Sequence, residues 1–120
     1  MNGVVEVAQQ IQAKIDEITA IRGIIKARGN DKARAIAEYD KALAMAIWDM
    51  RQGVPVELDG KTIENPPSTL IERLAKGVCW QEREKMETAE AMYKSAVSYL
   101  DSTCAQLNAL QSLNRYLDRA

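Results

Sequence analysis

Histidine is missing altogether from the 120 residues. With it goes the side chain that carries most acid–base work near neutral pH. Ser-His-Asp and Cys-His nucleophile systems and the usual zinc hydrolase sites are excluded together. Cysteine is nearly absent too. Cys79 and Cys104 are two isolated thiols, short of the four ligands of a structural zinc site. Both fall on apolar helical stripes, the setting of ordinary core thiols. The chain is therefore expected not to be an enzyme and to need no metal or cofactor.

An excess of charge of one sign is also lacking, since 17 acidic residues face 16 basic ones. No whole-molecule field draws such a chain onto nucleic acid or an anionic membrane, which leaves only local patches to do so. Long apolar runs are absent as well. The longest, "ALAMAIW" at 42–48, is far too short to cross a bilayer. The opening "MNGVVEVAQQ" has no basic start of a signal peptide, so a cytosolic location is expected.

What remains is 47% hydrophobic and 28% charged, the balance of a globular or coiled-coil chain of one domain. Val4, Ile11, Ile18 and Ile25 recur every seven residues with Val7, Ile15 and Ile21 between them, which predicts a helix over 4–28. "ARGND" reads as its end, with Gly29 as the C-terminal cap and Asn30 or Asp31 capping the next helix. That second helix, 31–52, carries Ile36, Tyr39, Leu43, Ile47 and Met50 among many alanines, and Gly53 closes it. A turn this short predicts an antiparallel helical hairpin.

Residues 54–65, "VPVELDGKTIEN", change character. Asp59-Gly60 between apolar alternations predicts a short β-hairpin or ordered loop. Asn65-Pro66-Pro67 bars a helix before it, and Thr69 with Glu72 fits a capping box opening a helix over 69–77. Gly77 marks a kink, or a full break before Trp80. From 80 to 118 a stripe of Met86, Ala89, Tyr93, Ala96, Leu100, Thr103, Leu107, Leu110, Asn114 and Leu117 steps by threes and fours, and no Gly or Pro interrupts 81–118. The expected fold is all-α: a helical hairpin plus a long C-terminal helix. That helix would be about 57 Å long, against about 38 and 33 Å for the first two. An overhanging apolar stripe costs roughly 25 cal/mol per Å² left in water. A homo-oligomer with Met86, Tyr93, Leu100, Leu107, Leu110, Asn114 and Leu117 on its seam is the expected cover, and a bent monomeric bundle the competing one.

Four sets of residues could carry binding. Arg22, Lys26, Arg28, Lys32 and Arg34 cluster at the expected turn, where cations and a helix N-terminus would seat a phosphate; alternatively Lys26 and Arg28 only complement a helix C-terminus. Trp80 beside Arg83 would anchor a partner or stack on a flat ligand, or Trp80 plugs the core. Glu84, Glu87 and Glu90 share one face, but interleaved Arg83, Lys85 and Lys94 read as a solvated, ion-paired surface. Arg115, Tyr116 and Arg119 sit at the end of the last helix, either as a partner contact or as a fraying tail.

The words "ENPPSTLIERLAKGVCW", "AEAMYKSAVSYLD" and "LQSLNRYL" resemble a family of small all-helical accessory proteins encoded by bacteriophages and prophages, over the C-terminal half of the chain. The resemblance brings no enzymatic motif. It implies a non-virion protein that works by binding in the host cytoplasm. Three activities would suit it: blocking a host defence protein, sequestering a cyclic nucleotide defence signal, or assisting phage DNA recombination or replication. The balanced charge speaks against nucleic acid. A coiled-coil scaffold without any ligand is the remaining alternative.

Overall fold

The computed structural model describes residues 2–119. Helix α1 spans Asn2–Arg51, strands β1 and β2 span Val56–Leu58 and Lys61–Ile63, a single 3₁₀ turn covers Ser68–Leu70, and helices α2 and α3 span Ile71–Val78 and Trp80–Arg119. The fold is all-α apart from the two-stranded antiparallel sheet, as expected. The chain forms two compact units. One runs from Asn30 to Ala91, and the other comprises the parts of α1 up to Gly29 and of α3 from Met92.

The expected turn at 29–30 is not there: one helix runs through it. The reason lies in the phase of the apolar stripe. Counting heptads from Val4 places 4, 11, 18, 25, 32, 39 and 46 at position a, and 7, 14, 21, 28, 35, 42 and 49 at position d. All fourteen are buried or half-buried, straight through the Gly-Asn step. A continuous helix therefore keeps one face on its partner, and that consistency outweighs the roughly 1 kcal/mol by which a helical glycine trails alanine. Gly29 instead leaves room for a neighbour. A Cβ there would stand 3.6 Å from the Tyr93 ring.

The end of α1 falls where expected. Gly53, at φ +78°, donates to the Met50 carbonyl, and Val54 donates to that of Asp49 at 2.9 Å. This is the paired bonding of a Schellman cap. In the sheet, Val56 pairs with Ile63 and Leu58 with Lys61. Asp59 and Gly60, both at positive φ, supply the turn that a two-residue hairpin needs. One detail differs from expectation, and one open alternative is decided. The Thr69 capping box does not form, as neither Ser68–Leu70 nor α2 has a side-chain cap. Of the two alternatives for the joint, a kink or a full break before Trp80, the break is found, at Cys79. Gly77 stays helical and faces the sheet, where an added Cβ would lie 3.4 Å from Leu58 Cδ2.

The Asn30–Ala91 unit holds the larger core. Tyr39, Ala46 and Met50 of α1 meet Ile71, Ala75 and Cys79, with Leu43, Ile47, Val56, Leu74 and Met86 packed around them. The other unit is two antiparallel helices. Glu17 meets Tyr99, and farther along α1 Arg28 Nη1 donates to Met92 Sδ at 3.2 Å. Among the described residues its buried ones are Val7, Ile18, Ile21 and Thr103. The Thr103 hydroxyl is satisfied within its own helix, donating to the Tyr99 carbonyl at 2.8 Å.

The 50-residue α1 removes the length mismatch on which the expected seam between copies rested. Met86 packs in the core of its own unit, and Tyr93 lies against Gly29. Leu100, Leu107, Leu110, Asn114 and Leu117 are half-buried in the single chain.

Candidate functional site

The joint between α2 and α3 sorts two neighbouring side chains to opposite sides. Cys79 leaves helical geometry at φ −94° and ψ 26°. Its N–H still reaches the Ala75 carbonyl at 3.0 Å, and Arg83 N–H reaches the Cys79 carbonyl at 3.0 Å, so the helical bonding resumes at once. Cys79 turns inward and is 3% exposed. Burial pushes its thiol pKa up, and Glu82 adds to the shift, which suits an inert core thiol. Trp80 turns outward and is 55% exposed. It is no core plug.

Around the indole, Arg73, Lys76, Gly77, Arg83, Glu84 and Glu87 line an open groove of about 440 Å³. Steps of three and four residues place these side chains on one helical face. Arg83 Nε donates to Glu87 Oε1 at 3.1 Å. Both side chains are more than half exposed, so the pair fixes the guanidinium's direction and contributes only a few tenths of a kcal/mol. Three cations thus border the tryptophan, and one of the two carboxylates is engaged by Arg83.

Trp80 and Arg83 are legible in the sequence as a pair; Lys76 and Arg73, one and two helical turns before Trp80, are not. Also unforeseen is the exposure of Met45 and Trp48 on α1, at 56% and 63%. Three residues apart, they share a face outside the stripe.

The five basic residues lose the helix N-terminus that would have made them a phosphate seat, because 29–32 lie inside α1. Arg28 and Lys32 occupy stripe positions and are half-buried, and Arg22, Lys26 and Arg34 are exposed. Glu38 near Arg34 has its pKa lowered, first by the hydrogen bond and then by the charge of Lys85, with a lesser contribution from Arg34. Lys85 Nζ lies 2.9 Å from it.

Arg115, Tyr116 and Arg119 belong to the two-helix unit. Tyr116 is 71% exposed, and Arg115 Nη2 donates to Ser112 Oγ at 3.5 Å. In the same unit the Tyr99 hydroxyl donates to Glu17. That bond, and after it the bond from Lys14, holds the Glu17 pKa below its usual value, while the bond to Glu17 raises that of Tyr99.

Among the described residues no group of three His, Cys, Asp or Glu could hold a metal ion, and no helix is long and apolar enough to cross a membrane. The chain matches no protein-family model, and no curated protein and no solved structure matches it.

Proposed function

We propose that the chain is a non-enzymatic binding protein that blocks a protein partner by docking on the Trp80 groove. The observation that carries this reading is the outward tryptophan, 55% exposed and bordered by Arg73, Lys76 and Arg83. Tryptophan and arginine dominate the energetics of protein interfaces, and three cations favour an acidic partner segment. Sites for small molecules enclose about 70–90% of the ligand. An open groove along one helical face does not do that, so a protein partner is favoured over a sequestered nucleotide. The resemblance to phage and prophage accessory proteins supports placing the partner among host defence proteins.

The test is a set of bacterial hosts, each carrying one defence system, expressing the chain and challenged with phage. Relief of defence is expected in one host. Trp80→Ala should abolish it while leaving the far-ultraviolet circular dichroism unchanged, since a hot-spot loss of about 2 kcal/mol or more lowers affinity roughly 30-fold. No relief in any host, or a Trp80→Ala variant as active as the wild type, contradicts the proposal.

A further inference from the structure

We propose that the two-helix unit is half of an interface, and that a second copy of this chain covers it through the flank at heptad position g. The flank is defined by a contact: Glu17 and Tyr99, joined by a hydrogen bond, occupy position g on α1 and α3. In a two-stranded antiparallel pair, positions e and g border solvent and carry charge, most often Glu and Lys.

The Asn30–Ala91 unit obeys that rule at three of its four g positions, Met45 being the exception. Its g positions are Asp31, Glu38, Met45 and Lys85, and Lys85 and Glu38 form an ion pair. In the two-helix unit the rule fails. Gly3, Gln10, Glu17 and Ile24 on α1, with Met92, Tyr99, Gln106 and Leu113 on α3, include a single charge. That charge, Glu17, is already engaged by Tyr99 and Lys14. Ile24, Met92, Tyr99 and Leu113 are exposed by 48%, 39%, 53% and 44%. The same helices in the same heptad phase thus change from a flank that is mostly charged to one with a single charge and four exposed apolar or aromatic side chains.

Area points to the same occupant. The chain exposes 8615 Å² at a mass of 13.4 kDa, where about 6,500 Å² is usual for a monomer of that size. A standard protein interface removes about 800 Å² from each partner, so the surplus is ample for one. A second two-helix layer set against this flank completes a four-helix arrangement, in which apolar residues at a, d and g are all covered. The copy is an apt partner because a two-fold axis sets against itself a flank whose one charge, Glu17, is already paired with Lys14 in its own helix, which keeps the like-charge cost small.

Sedimentation velocity on the full chain tests this. Wild type is expected to sediment as a dimer at micromolar concentration. Ile24→Glu and Leu113→Glu should each raise the dissociation constant at least ten-fold, and Trp48→Glu, which puts the same charge on an exposed site off the flank, should leave it unchanged. The wild-type measurement stands even if a flank variant fails to fold. A wild type that remains monomeric at tens of micromolar, or flank variants that associate as tightly as wild type, overturns the proposal. Neither result depends on the Trp80 groove.

Discussion

Replacing Asp31 with proline is expected to destabilise the protein by about 3 kcal/mol or more. Residue 31 lies within α1, where proline removes the N–H that bonds to the carbonyl four residues earlier, and its ring strikes that carbonyl. Asp31 is exposed and has no packing to lose, so the effect isolates the backbone. The alternative of two helices joined at 29–30 makes the opposite forecast. There residue 31 would be the first residue of a new helix, the position where proline is favoured. Urea denaturation of the variant separates the two, since a midpoint equal to wild type or above it would rule out the uninterrupted helix.

Met50→Ala is expected to cost about 2–5 kcal/mol. Met50 is 3% exposed and sits among Tyr39, Ala46, Ile71, Ala75 and Cys79. The elements resting on it cannot stand alone. Helix α2 has eight residues, below the length at which an isolated helix holds in water, and a lone hairpin with strands of three residues is marginal at best. A cavity at Met50 therefore loosens α2, and with it the Arg73 and Lys76 side of the groove. The expected outcome is a lower unfolding midpoint together with weaker partner binding. A loss under 1 kcal/mol would mean that α2 is anchored elsewhere.

The elements that were legible in the sequence are those fixed by local chemistry. Asp59-Gly60 both adopt positive φ, as does Gly53 after α1, and few residues do so at low cost. At 29–30 the same glycine and asparagine signal points to a turn when taken locally, and only the stripe on either side shows that the helix continues. Stepping by seven from Ile25 reaches Lys32 and then Tyr39, so the heptad phase crosses "ARGND" unbroken. Lysine at position a hides the continuity, although the residue is half-buried there and a lysine stem packs along apolar surface.

A break before Trp80 is one of two readings that Gly77 allows, but its place at Cys79 has no local signal, because neither glycine nor proline stands there. It follows from tertiary packing, with Ala75 and Cys79 both held in the core. That inward thiol is also what sends Trp80 outward. The candidate groove was therefore half visible: Trp80 and Arg83 stood out by type, whereas Arg73 and Lys76 join them only through the face that α2 and α3 share. The apolar flank at Met92, Tyr99 and Leu113 repeats every seven residues or multiples of seven, and was overlooked beside the stronger stripe next to it.

The uninterrupted α1 organises both units, and amide hydrogen exchange across residues 29–32 tests it most directly. In one continuous helix these N–H groups are bonded, so they should exchange nearly as slowly as those of Ile25 and Tyr39. Exchange at 29–32 close to the rate of an unstructured peptide, between two protected segments, would contradict it.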